Sequence, residues 1–407
     1  MRLALVDLMF SWPPYGGANV DLYYMASALL GAGHDIAVFG VHVEGASERG
    51  IFEPDGLPFP AVRLDFTPQQ FNRRDMPTAL REEVGAWGPE AVLVCDGFFL
   101  KPYVINALAE DFPVATRYYA YEAVCHRDIL RFKDNAPCPN AYLDTPDTCR
   151  RCALEGLGPD IKRRRRQAWG QEYLAAHAYS PRYHRVLRES LRRLRAVIVY
   201  NDLMKRLIEN YCNEVFVAPG GIDAEAFPYV PPPERGPEDR KIVFMAGRAE
   251  DSVKGADVLR MAGERLARER NDFEIQVTLP EDSPATEWLR PIGWQPYDAM
   301  RARYAQADIC VVPSVWDEPF GMVALEAMAT GRPVCASRVG GLQTLVAHTE
   351  TGFLFEPGHS AELAKQLALL LDNAPMRQEM GAAARQRVEE HYTWPHIVKT
   401  HYAPILE

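Results

Sequence analysis

Glu318-Pro-Phe-Gly-Met-Val-Ala-Leu-Glu326 follows the apolar run Ala307-Asp-Ile-Cys-Val-Val-Pro-Ser314 and precedes Ala327-Met-Ala-Thr-Gly331. The upstream run reads as a buried strand and the loop after it, the downstream run as a helix closed by glycine. Glu318 therefore stands in the loop at a strand's carboxyl end, and Glu326 stands inside the next helix. Gly321 between them lets the helix N-terminus come close to a ligand, and free N–H groups with the helix dipole hold phosphate there. A carboxylate within such a helix repels phosphate but accepts hydrogen bonds from sugar hydroxyls. The segment suits a molecule carrying both a diphosphate and hydroxyls.

The rest of the chain repeats the strand–helix pattern. Strands are expected at Leu3–Val6, Asp35–Phe39, Ala91–Cys95, Val114–Arg117, Ala196–Tyr200 and Val215–Ala218, with helices at Ala18–Leu30 and Lys101–Ala109. Such alternation predicts an α/β protein with parallel sheets covered on both faces. A length of 407 residues suits two cores rather than one. Pro231-Pro-Pro-Glu-Arg-Gly-Pro237 breaks the pattern, because three prolines neither continue a helix nor sit in a central strand. The expected division is residues 1–222, a linker at 223–240, a second series at 241–390, and a largely helical end at 391–407.

The second series opens on Met245-Ala-Gly-Arg-Ala-Glu-Asp-Ser-Val-Lys-Gly255. Arg248 and Lys254 at a strand's carboxyl end make a clamp for a diphosphate, and they can stabilise a leaving diphosphate without a metal. Two glutamates this far apart recur in many proteins. The Pro-Phe-Gly filling, the strand before it and the turn Gly331-Arg332-Pro333 after it carry the specificity. On these residues the chain resembles the retaining glycosyltransferases of family 4, which have the GT-B fold. The resemblance is strongest from about residue 215 to 363.

That resemblance implies two Rossmann-like domains facing across a cleft, with a terminal helix crossing back to the first. It also implies Glu318, Arg248 and Lys254 as catalytic residues. Donor contacts are implied at Gly16, Gly17, Trp294, Phe320, Gly321, Met322 and Glu326, the last binding ribose hydroxyls. The front-face route, in which the leaving phosphate oxygen takes the acceptor proton, is expected over a covalent intermediate on Glu318. The donor is expected to be a UDP- or GDP-linked sugar, and the acceptor a glycan, a lipid-linked glycan or a small molecule. No catalytic cofactor is expected. A nucleotide-sugar epimerase of the same fold and a sugar-nucleotide sensor are the other classes considered.

Several positions carry two readings. Gly16-Gly17 is either a donor-closing loop or a turn that needs positive φ. Trp294 either stacks on a base or fills the core. Pro219-Gly-Gly-Ile-Asp223 reads as structural, and Gly340-Gly341 as a turn near the sugar. The family's usual histidine after the strand Val114–Arg117 is missing, and Tyr118, Tyr119, Tyr121, Glu122 and His126 are the nearby substitutes. Of the 8 cysteines, Cys125, Cys138, Cys149 and Cys152 lie in an insertion at 125–152 and are candidate ligands for a structural zinc.

The chain has a net charge of −10, yet residues 150–195 hold 13 Lys or Arg against 4 Asp or Glu. This basic stretch, densest at Lys162-Arg-Arg-Arg-Arg166, is a candidate for peripheral contact with an anionic membrane surface. The acidic remainder argues against nucleic acid. No apolar run reaches the roughly 18 residues of a membrane span, and a cytoplasmic location, extending to the inner membrane face, is expected.

Overall fold

The computed structural model describes residues 1–45, 49–162, 168–236 and 238–406. It divides into two compact units. The first gathers Met1–Lys133, Pro137–Gly221 and Ile397–Glu407, and the second includes Ile222–His396.

The first unit contains β1 (Arg2–Asp7), β2 (Asp35–Val43), β3 (Ala61–Phe66), β4 (Ala91–Val94) and β5 (Val114–Arg117). A two-stranded hairpin, β6 (Phe132–Lys133) with β7 (Ala136–Pro137), lies in the insertion, and β8 (Ala196–Val199) and β9 (Val215–Val217) follow. The main sheet has the order β3-β2-β1-β4-β5-β8-β9 and is parallel throughout. Its central strands are short continuous apolar runs, such as Leu3-Ala-Leu-Val6, buried on both faces. That is the pattern a parallel sheet covered by crossover helices requires.

The second unit contains β10 (Lys241–Met245), β11 (Phe273–Val277), β12 (Leu289–Pro291), β13 (Ile309–Val312), β14 (Val334–Ser337) and β15 (Gly352–Phe355). Their order is β12-β11-β10-β13-β14-β15, again parallel. The chain leaves β10 in one direction along the sheet and returns at β13 on its other side. The carboxyl ends of β10 and β13 thus form a topological switch point, where open α/β sheets bind ligands.

The proline-rich segment expected as a linker forms no helix or strand among its described residues. It is fastened to the second unit. Arg235 pairs with Asp308 at 2.9 Å, and the carbonyls of Val230 and Pro231 accept from Arg332.

From Ile397 the chain rejoins the first unit through a π-helical turn, Val398–Tyr402, and a last α-turn, Ala403–Leu406. Arg117 at the end of β5 ties it down. Its guanidinium donates to the Tyr402 hydroxyl, pairs with Asp21 at 3.1 Å and lies 4.4 Å from the Tyr200 ring centroid. Arg117 and Asp21 are both fully buried. A buried charge is tolerated only when paired and hydrogen-bonded, so this residue fixes where the C-terminal segment sits.

Candidate active site

Glu318 and Lys254 meet at the switch point of the second unit. Gly255 bends the chain after β10 with φ of +80°, and a Cβ there would strike the Pro313 carbonyl at 2.0 Å. This close approach brings Lys254 against the loop after β13. Its ammonium donates to both carboxylate oxygens of Glu318, at 2.9 and 3.0 Å, and lies 5.2 Å from the Trp316 ring centroid. The same carboxylate accepts from the Ser314 hydroxyl and the Trp316 indole N–H, each at 2.9 Å.

Gly340-Gly341 proves to be the backing of this loop. Gly341 N–H donates to the Glu318 carbonyl at 2.8 Å, and a Cβ on Gly340 would lie 2.0 Å from that oxygen. The two glycines are required by the loop they support, whatever they touch beyond it.

Gly321 caps the helix Met322–Ala329 with φ of +113°. A Cβ there would meet Leu342 at 2.4 Å, so the position excludes other residues twice over. The helix has no side-chain cap and no acidic residue in its first turn, which leaves its N-terminal N–H groups for an anion. Phe320, expected to touch the donor, instead turns inward and is buried with its ring 6.0 Å from Tyr392.

Glu326 is buried on the same helix and accepts from the Tyr304 hydroxyl at 2.7 Å. Burial pushes its carboxyl up to about 7 from the ordinary 4.5, and the Tyr304 hydrogen bond opposes the shift. Tyr304 lies 22 residues away, in the helix Tyr297–Gln306. Nothing local in the sequence announces this partner. Ser314 and Trp316 lie four and two residues before Glu318 in the same loop.

Arg248 stands in the loop after β10. Its side chain is more than half exposed and pairs with Asp251 at 3.5 Å rather than joining Lys254 at Glu318. Trp294 is 58% exposed, which removes the core reading and leaves a free aromatic face in the loop after β12. Met322 opens the helix behind Gly321 and is partly exposed.

In the first unit, Gly16 precedes the helix Gly17–Gly31. Its φ of −173° is extended backbone that any residue can adopt, and an added Cβ would meet nothing within 4 Å. The fold itself therefore does not demand glycine there. His126 does not stand in for the missing histidine. It is buried, stacked on Tyr142 at 3.9 Å, and its Nε2 bonds the Ala178 carbonyl at 2.8 Å. Burial lowers its pKa to about 4, so it stays neutral. Tyr118, Tyr119 and Tyr121 are likewise buried. Glu122 is turned back to accept from the backbone N–H groups of Tyr119 and Ala120.

Among the described residues, no group of three or more His, Cys, Asp or Glu side chains is placed to hold a metal. Cys125 donates to Asp128 at 3.5 Å, Cys138 faces Asn140, and Cys149 shares a hydrogen bond with Thr145. Burial pushes the Cys125 thiol up to about 12. The basic run is only partly visible, because Arg163–Arg166 lie outside the described residues. In the helix Arg182–Arg193 the arginines at 182, 185, 192 and 193 are exposed.

Comparison with known proteins agrees with this geometry. Residues 286–387 match the family model for glycosyl transferases group 1, and they contain both glutamates. A glycogen synthase from Mycobacterium tuberculosis is 25% identical over 95% of this chain and 91% of its own. The chain has the GT-B fold. A D-inositol 3-phosphate glycosyltransferase from Corynebacterium diphtheriae is 32% identical over 48% of this chain and 50% of its own. The chain thus spans about half the length of the curated relatives it matches first. Among solved structures, a sucrose-phosphate synthase from Thermosynechococcus elongatus superposes with a TM-score of 0.67 at 19% identity, covering 98% of this chain and 96% of that one. Anabaena HepE in complex with UDP gives 0.65 at 16% identity, covering 100% and 99%. This GT-B chain has no helix, among the described residues, long and apolar enough to cross a membrane.

Proposed function

We propose that this GT-B chain moves a sugar from a nucleotide diphosphate sugar to a hydroxyl acceptor, with retention at the anomeric carbon. The observation that carries the reading is the Lys254 ammonium, held by Glu318 at the switch point of the second sheet. A diphosphate placed at the Gly321 helix N-terminus competes with Glu318 for that ammonium. Lys254 then stabilises the charge growing on the leaving group, and the Glu318 carboxylate faces the sugar. Arg248 swings from Asp251 to the same diphosphate, and Trp294 offers its exposed face to the base. The ribose hydroxyls go to Glu326. Lys254 and Arg248 supply the charge that a metal would otherwise bring, so catalysis needs none.

UDP is the first nucleotide to try, because HepE has been solved with UDP and with UDP-glucose. The acceptor carries a free hydroxyl on a glycan, a lipid-linked glycan or a small molecule. If it is lipid-borne, the exposed arginines of the helix Arg182–Arg193 are suited to anionic headgroups.

A panel of UDP- and GDP-linked sugars incubated with the protein in EDTA tests the reading. Release of UDP or GDP that rises when hydroxyl acceptors are added is the expected result. Acceptor-independent conversion of the donor to its epimer would replace transfer with epimerisation. Binding without turnover across the panel, with acceptors of all three kinds, would leave a sensor.

A further inference from the structure

We infer that Ser314 and Trp316 are positioning residues that hold Oε2 of Glu318 and leave Oε1, on the Lys254 side, to meet the donor sugar. The inference rests on the proposed transfer and goes beyond it. Oε2 accepts three hydrogen bonds, from Ser314 Oγ at 2.9 Å, Trp316 Nε1 at 2.9 Å and Lys254 Nζ at 3.0 Å. Oε1 takes Lys254 Nζ at 2.9 Å. Ser314 is fully buried and Trp316 is 4% exposed, so packing fixes both donors. Gly340 and Gly341 press on the same residue from its backbone side.

The arrangement matters at the moment a diphosphate draws Lys254 away. A carboxylate tied only to that lysine would follow it or swing into solvent. Held by a hydroxyl and by an indole N–H that can only donate, Glu318 stays where it is, and Oε1 becomes the free acceptor. The lone pairs of Oε2 remain engaged, so the carboxylate acts as a fixed charge and hydrogen-bond acceptor for the sugar. It is poorly placed to become a nucleophile through that oxygen.

Two measurements test this. With UDP-glucose or whichever donor the panel identifies, Ser314→Ala and Trp316→Phe are each expected to lower kcat about tenfold or more, because each removes a hydrogen bond to a charged group. Donor KM should stay within about threefold, and Ser314→Thr, which restores the hydroxyl, should recover most of kcat. Unchanged kcat, or a loss that Ser314→Thr does not rescue in a folded protein, would overturn the inference. The second measurement needs no turnover. The Trp316 indole N–H resonance of 15N-labelled protein, assigned by its loss in Trp316→Phe, should move upfield in Glu318→Gln and shift in Ser314→Ala. A resonance indifferent to Glu318→Gln would refute the contact even if no donor is found. A responsive resonance with no turnover of any donor would refute the transfer reading and keep the contact.

Discussion

Lys254→Ala is expected to lower kcat/KM for the nucleotide-sugar donor about a hundredfold, close to 3 kcal/mol, in a protein that still folds. The ammonium is the one cation seated on Glu318 among the described interactions of that carboxylate, and its side chain is 23% exposed. Removing it costs little in the free protein, since Ser314 and Trp316 continue to satisfy Oε2. The loss appears when charge develops on the leaving diphosphate, where a preorganised donor in a shielded site counts most. Arg248→Ala should move in the same direction by less, because the guanidinium starts out in solvent beside Asp251. Steady-state kinetics with circular dichroism as the folding control checks both variants. A Lys254→Ala protein that keeps more than about a third of wild-type kcat/KM would remove the clamp from the account.

Glu326→Gln should have opposite effects on stability and on donor binding. The folded carboxyl titrates near 7 and the unfolded one near its ordinary 4.5. Between those values the folded state holds the extra proton, so Glu326 contributes stability that is full below about pH 4.5 and is lost as the pH rises through 7. At pH 8 the wild type buries a charge that the glutamine does not. The variant should therefore be more stable at pH 8 by about 2 kcal/mol, the new amide N–H2 giving back part of the full difference, and that advantage should be gone or slightly reversed by about pH 5. Tyr304 can still donate to the amide oxygen. Donor KM should nonetheless rise about tenfold at pH 8, where the ionised carboxylate is the stronger partner for ribose hydroxyls. Urea unfolding at the two pH values and donor kinetics at pH 8 measure this. A stability difference that does not depend on pH would show that Glu326 is not the titrating group.

Much of this was legible in the sequence because it is local. The spacing of Glu318 and Glu326, the glycine between them and the apolar strands each encode geometry within a single βα unit. The parallel sheets followed from continuous apolar runs such as Leu3–Val6. What could not be read is long-range or rotameric. Tyr304 reaches Glu326 from another helix, and Arg117 joins Asp21 to Tyr402 across most of the chain length. The strand after which the family usually has a histidine ends here in a buried arginine, whose role depends on the C-terminal residues that pack on it. The side chain of Arg248 pairs with Asp251 three residues on, a rotameric detail that the sequence does not carry.

The anomeric configuration of the product first formed is the most direct test of the central claim. An α-linked nucleotide sugar with a hydroxyl acceptor should give an α-linked product, read from the anomeric proton coupling by NMR within the first turnovers. A β-linked product would contradict front-face transfer at the Lys254–Glu318 site.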